Sequence, residues 1–373
     1  MKSAETLTVR TLNRATLARQ MLLARQSVTP LAAIERLVGL QAQWPKPPFI
    51  GLWTRLPKFR REDLCGLLQT RRAVRGTMMR GTIFVTSTRD YVRFRAALQP
   101  LLTRGLQSVL RKRLDGFDVD AVVRTARGIF EEQPRTFDQV RDLLVSRYPT
   151  ADERAMGYAA RMLLPLIQVP TNAQWGFPAV AQFGLAETWL DQPLARDQGP
   201  RALVLRYLAA LGPASVADAQ TWSGFQGLKE VFESLRPKLR AFRDERGREL
   251  FDLPRAPRPA EDTPAPVRFL PDFDNLILGH DDRRRAIADR HRPAVFLSAL
   301  RVTQTFLIDG FVAGTWKIDR KKSKATLSIA PFGTVPNEAR AALVEEGEKL
   351  VRFAEPDGET FDVRVGKNGA RRG

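Results

Sequence analysis

Cysteine occurs once in the 373 residues, at Cys65, and histidine twice, at His280 and His291. That set cannot supply a tetrahedral zinc site of the usual Cys/His kind, an intramolecular disulfide or a four-cysteine iron–sulfur cluster. No metal and no cofactor are therefore expected. Long apolar runs are also missing, because Arg, Asp or Gln interrupts every hydrophobic stretch before the roughly 18 residues that a membrane span needs. The start of the chain, Met1 to Thr6, lacks the apolar core of a secretory signal. The expectation is a cytoplasmic protein with no membrane association. Acidic residues are in short supply: 41 Asp and Glu stand against 60 Lys and Arg, a formal net charge of +19. Such a surplus, carried mostly by arginines that fork onto phosphate, points to a polyanionic partner.

The length suits several small domains, and a helical plan recurs along the first two thirds. The first unit, residues 1–115, opens with an amphipathic helix over about residues 11–24. Thr29 and Pro30 then start a second helix, with a cap residue followed by proline at the first helical position. A helix near residues 62–70, a strand over 77–86 and a long helix from about 89 to 113 complete the unit. The second unit, 116–195, has apolar residues at helical spacing from Val119 to Phe130. Thr136 and Gln139 then write a capping box, a third helix runs through Met156 and Leu163, and a hairpin is expected over 166–169 and 176–182. The third unit, 196–254, repeats the plan, with Ser215 capping a helix and a hairpin over 239–242 and 249–253. Three helices and a hairpin make a winged helix.

A proline-rich linker then leads into a β-rich, barrel-like domain over 255–366, followed by a basic tail, 367–373. The expected fold class is thus mainly α with β-hairpins: three tandem winged-helix units followed by a small β-rich C-terminal domain.

Two amides stand out at Gln41 and Gln43. Leu31, Ile34, Leu37 and Val38 follow helical spacing, and extending that helix puts Gln41 on its apolar stripe. A buried amide is costly unless satisfied. In an unbroken helix the two would point about 200° apart. Pro45, Pro47 and Pro48 stop the helix, so an unwound end brings both amides to one site. The bland reading is that they cap a broken helix. Basic positions suited to a DNA backbone are Arg71, Arg72, Arg75, Arg80, Arg111, Lys112, Arg113, Arg283, Lys321 and Lys322.

Several stretches carry a family resemblance: Leu40 to Pro45, Gly51 to Arg55, Met79 to Ile83, Leu270 to Asn275, Gly279 to Arg283 and Asp309 to Trp316. In this order they resemble the AlkZ/YcaQ family of tandem winged-helix DNA glycosylases, over nearly the whole chain. The resemblance implies a bacterial enzyme that cuts the N-glycosidic bond of N7-alkylated purines. In the AlkZ branch it also implies removal of bulky adducts and interstrand crosslinks made by genotoxic natural products, hence DNA repair and antibiotic self-resistance. The family signature is Gln, an apolar residue, then Gln or Asp. Gln41, Ala42 and Gln43 match the Gln-ending, AlkZ-like form, which makes Gln41 and Gln43 the catalytic candidates. Phe84 stands where a His is frequent in the family, a departure on that strand.

Amides suffice for such a reaction. A purine alkylated at N7 is already cationic and leaves as a neutral molecule, so the two carbonyls need only orient a water. His280, Asp272 and Asp282 are secondary candidates, and their ordinary role is structural hydrogen bonding. The expected partner is double-stranded DNA carrying alkylated purines, bound by a monomer. The competing class is a winged-helix transcriptional regulator without catalytic activity, which would be a dimer reading a two-fold site.

Overall fold

A computed structural model describes residues 5–110, 118–196, 199–298 and 301–366. The expected DNA contacts at Arg111, Lys112 and Arg113, and the basic tail, lie outside the described residues. No described helix is long and apolar enough to cross a membrane.

The chain begins with a short strand, β1 (Thr6–Leu7), and the helix Val9–Arg19, whose first turn is capped by the Thr8 hydroxyl accepting from the Thr11 N–H. Thr29 caps the helix Pro30–Arg36 in the expected way. That helix does not run to the glutamines. Val38 and Gly39 adopt left-handed conformations, φ 55° and 86°, and the Gly39 N–H closes the helix on the Ile34 carbonyl. Only glycine fits at 39, because a Cβ there would stand 2.7 Å from Thr86. The reversal launches strand β2 (Leu40–Gln41), so a left-handed turn does the work expected of the prolines.

Strands β3 (Ala73–Thr77) and β4 (Ile83–Ser87) form a hairpin where one strand over 77–86 was expected. The turn between them holds two consecutive left-handed residues, Arg80 and Gly81. The long helix expected from 89 divides into Thr88–Phe94 and Gln99–Leu110, because Pro100 starts a helix more readily than it continues one.

In the second unit the helices Val119–Glu132, Phe137–Arg147 and Glu153–Leu163 lie close to expectation, with the Thr136/Gln139 capping box formed in both directions. Its hairpin pairs β5 (Leu166–Gln168) with β6 (Phe183–Leu185), so residues 176–182 are a loop and the second strand begins at 183. The third unit contains the helices Arg201–Leu211, Val216–Ser223 and Lys229–Leu235 and the strands β7 (Arg240–Asp244) and β8 (Glu249–Asp252).

The units are not independent beads. A five-stranded sheet, ordered β2-β4-β3-β5-β6, is shared by the first and second units, and β1 pairs in parallel with β7 of the third. Mainly α therefore becomes a mixed helix-and-sheet fold, since short hairpins gain stability by adding to one another's edges. The helix Val9–Arg19 is wedged between distant elements. Arg19 forks onto the buried Asp252 carboxylate at 2.7 and 2.8 Å, and Asn13 donates to the carbonyls of Arg285 and Gly310.

The C-terminal region is an open sheet and not a barrel. It contains β9 (Arg268–Leu270), a separate small hairpin of β10 (Phe296–Ser298) and β11 (Arg301–Val302), then β12 (Thr305–Ile308), β13 (Phe311–Lys321), β14 (Lys324–Pro331) and β15 (Thr360–Val365). The five-stranded order is β15-β14-β13-β12-β9, with β9 and β15 at the two edges. The last strand joins in parallel through the helix Asn337–Ala354, whose Leu343, Leu350 and Val351 pack on Phe269, Phe306 and Trp316.

Candidate active site

Strand β2 ends at Gln41, and Gln43 lies in the bend that follows. Gln41 lies opposite Phe84 in the β2–β4 pairing, and the next residue, Ala42, donates its N–H to the Ile83 carbonyl at 2.7 Å. Ala42 between them is fully buried. Both amides reach the β3–β4 turn. The Gln41 Oε1 accepts from the Arg80 guanidinium at 2.5 Å, and the Gln43 Oε1 accepts from the Ile83 N–H at 2.9 Å. Each oxygen keeps a second lone pair.

Two arginines expected on DNA turn inward. Arg75 is 4% exposed and donates to the Ala42 carbonyl at 3.0 and 2.7 Å, to the Gln43 carbonyl at 3.2 Å and to the Gln168 amide. It clamps the backbone between the glutamines and is out of reach of a phosphate. Arg80 bridges Gln41 and the Trp222 carbonyl, with its guanidinium over the Phe84 ring. Burial lowers both guanidinium pKa values to about 10, with like charge at Arg161 or Arg283 adding to the effect, and both stay charged at neutral pH. A buried cation, Arg75, and a half-buried one, Arg80, therefore hold a segment whose side chains are neutral.

Gln41 opens onto a cavity of about 730 Å³, with Arg80, Thr82, Arg283, Arg292 and Phe296 among its lining residues. The Arg283 guanidinium lies 4.4 Å over the Phe296 ring, and its buried Nε has no hydrogen-bond partner among the described residues. Such a donor in a cavity wall suits an anion. Arg292 and Phe296 were not anticipated, because nothing local marks a residue whose value comes from facing a strand 250 positions earlier in the chain.

The remaining candidates scatter. Arg71 and Arg72 are exposed, Arg71 with its guanidinium 4.5 Å over Trp189, and Lys321 and Lys322 are exposed where β13 turns into β14. None of these four lines the cavity. His280 is 1% exposed, with Nε2 hydrogen bonded to the Leu211 carbonyl at 2.9 Å. Burial, reinforced by Arg285, pushes its imidazole well below the ordinary range, so it stays neutral and serves the packing around Tyr207. Asp282 is held by Arg284 and Arg248, which keep its carboxyl low against the opposing effect of burial. Asp272 differs from both, since burial raises its carboxyl to about 6, and it shares with Gln41 the lining of a gap of about 10 Å³.

Two consequences can be measured. Arg80→Met should lower any Gln41-dependent rate about tenfold, and Arg80→Lys should not restore it, because an ammonium cannot span the Gln41 and Trp222 oxygens as a fork does. Single-turnover rates at saturating protein check both variants. Asp272 takes up a proton on folding between its ordinary carboxyl pKa of 3.8 and its raised value of about 6, so the folded state loses stability as pH rises through that window. Asp272→Asn is accordingly expected to raise the urea midpoint at pH 8 and to change it much less at pH 4.5.

An arginine-walled cavity served by hairpins and short helices, in a chain of net charge +19, defines a protein that acts on nucleic acid. The chain belongs to the AlkZ-like DNA glycosylase family, whose model matches residues 34–353. It is a DNA glycosylase by that membership. Among solved structures, the Streptomyces sahachiroi DNA glycosylase AlkZ has a similar fold, with a TM-score of 0.79 and 21% sequence identity over 97% of this chain and 100% of that one. None of the curated proteins compared with the chain matches it in sequence.

Proposed function

We propose that the protein is a monomeric, monofunctional DNA glycosylase that hydrolyses the N-glycosidic bond of N7-alkylated purines, including those in interstrand crosslinks, for repair or for self-resistance to a genotoxic natural product. One observation carries this reading: two neutral carboxamides two residues apart, Gln41 lining an arginine-lined cavity and accepting from Arg80 of the β3–β4 turn, and Gln43 accepting from the Ile83 N–H where that turn enters β4. In the proposed step the remaining lone pairs of Gln41 and Gln43 accept the two protons of one water and turn its oxygen toward the anomeric carbon. The electron pair of the glycosidic bond goes to the base and cancels its positive charge. The water oxygen bonds to the sugar, and a proton passes to solvent.

No general acid is required, since the leaving base is already cationic. The Arg80 charge on the Gln41 oxygen makes a poor base poorer still, which spares neutral purines. Among the described residues no lysine lines the cavity, and Lys46 is paired with Glu355 at 2.5 Å, so a Schiff base and strand cleavage are not expected. The test is incubation of an N7-methylguanine duplex with the protein, followed by chromatography of the released base and gel analysis of the strand. Free 7-methylguanine and an intact abasic strand are expected; unaltered DNA refutes the reading.

A further inference from the structure

Arg283, Arg284 and Arg285 follow one another in the short helical turn after Asp282, and the fold uses two of them. Arg284 turns back onto the Asp282 carboxylate, its Nε donating at 2.9 Å, and the buried Arg285 donates to the Pro213 carbonyl at 2.8 Å. Arg283 instead lines the cavity that Gln41 opens onto, stacked on Phe296, with its Nε–H unspent among the described residues. Arg80 and Arg292 line the same space, and among the described residues no carboxylate does. Asp281, whose charge Arg283 feels, lies outside that lining. Arg292 has an exposed partner, Asp289 at 3.4 Å, an ion pair weak enough to yield. Like charges are thus gathered without a counter-ion in the cavity: Arg283 adds to burial in lowering the Arg80 pKa, and Arg292 does the same to Arg283. Such an arrangement is costly until an anion arrives.

We propose that Arg283, with Arg292 beside it, holds one of the two phosphates flanking the damaged nucleotide, so that the DNA strand itself supplies the anion that lets a cationic base and a cationic sugar enter an arginine-lined cavity. The inference rests on the glycosylase reading above and adds a positioning residue to it. Three guanidinium groups repel an N7-alkylated base, and as the glycosidic bond breaks the positive charge passes from the base to the sugar. A phosphate attached to that sugar stays anionic throughout, so it favours binding and favours the transition state further. Arginine forks onto phosphate with parallel N–H donors, and stacking on Phe296 occupies the face of the guanidinium while leaving its edge for that fork. Phe273 and Leu278 give the cavity an apolar wall against which a deoxyribose can lie. Arg283 acts through the phosphate, and Gln41 and Gln43 act on the water.

The test replaces each of the two flanking phosphates in turn by a neutral methylphosphonate, in a duplex carrying one N7-methylguanine, and reads binding by fluorescence anisotropy and cleavage by single-turnover base release. For wild type, one of the two replacements should raise Kd about tenfold and slow the saturating release about tenfold. Arg283→Met should raise Kd about tenfold on the unmodified duplex, show no further rise from that same methylphosphonate, and flatten the slope of log Kd against log salt by about 0.9, one phosphate contact. Losses that multiply at both positions, a wild type indifferent to both, or an unchanged salt slope overturn the subsite. Arg292→Met, at a side chain 41% exposed, should show the same shared loss in smaller measure and decides the question should Arg283→Met fail to fold. If wild type releases no base, the glycosylase reading fails, and the anisotropy measurements, which need no chemistry, still decide the subsite: a loss shared between Arg283 and one flanking phosphate upholds it, and independent losses refute it.

Discussion

Gln41→Ala should lower single-turnover release of an N7-alkylated purine by roughly 100- to 1,000-fold, the usual scale for removing one positioned polar group from a reacting centre. The loss should appear at saturating protein, with affinity for the same duplex unchanged in fluorescence anisotropy, because Gln41 is 6% exposed and offers DNA almost no contact area. Gln43→Ala should act in the same direction. It also leaves the Ile83 N–H without its partner, as Gln41→Ala leaves one arm of the Arg80 fork, so both melting points should fall slightly. Gln43→Asp preserves an acceptor at the same position and should retain much of the rate. Equal rates for wild type and all three variants would remove the amides from the mechanism and leave a DNA-gripping protein with no known reacting centre.

Asp252→Ala is expected to give the largest loss of stability, about 3–5 kcal/mol, the range for breaking a buried ion pair on one side. Asp252 is fully buried and accepts from both nitrogens of the Arg19 fork, from Arg258 and from the Leu253 N–H. Removing the carboxylate strands the Arg19 guanidinium, 6% exposed, between the carbonyls of Leu208 and Pro257. Urea denaturation at pH 7 measures the change, and a loss below about 1 kcal/mol would mean that water reaches Arg19 and replaces the lost partner. The damage should extend beyond the third unit, because Arg19 is on the N-terminal helix and Asp252 is on β8. Base release should fall in parallel with the folded fraction and not ahead of it.

Helix starts are legible where the physics is local. Thr29 with Pro30, Thr136 with Gln139, and Ser215 each begin a helix, because a side-chain oxygen next to free N–H groups acts within one turn of chain. The β-rich character expected over residues 255–366 rests likewise on β-branched and aromatic runs, as in Thr305–Ile308 and Thr360–Val365. Errors came where a backbone reversal depended on a non-glycine residue in the left-handed region. Val38 and Arg80, at φ 55° and 56°, turned an expected helix extension into a strand and an expected strand into a hairpin. Residues of these types seldom adopt that conformation, and here the closely packed neighbours impose it.

The arginines teach the same lesson. Composition marks Arg75 and Arg80 as phosphate ligands as readily as Arg71 and Arg72, since all four are cations in one short stretch. Only burial separates them: Arg75 is clamped on the Ala42 carbonyl and Arg80 on Gln41, while Arg71 and Arg72 remain at the surface.

Chain composition and order alone established the basic surplus, the scarcity of cysteine and histidine, the capped helices, and the pair of glutamines beside a proline cluster, because each is a matter of residue type and near-neighbour spacing. Tertiary structure decided which way those glutamines face, which cations support them and which line the cavity. These depend on β2 pairing with β4, and on residues 250 positions apart closing one space. Contacts at that separation follow from packing the whole chain, and no short window of sequence contains them.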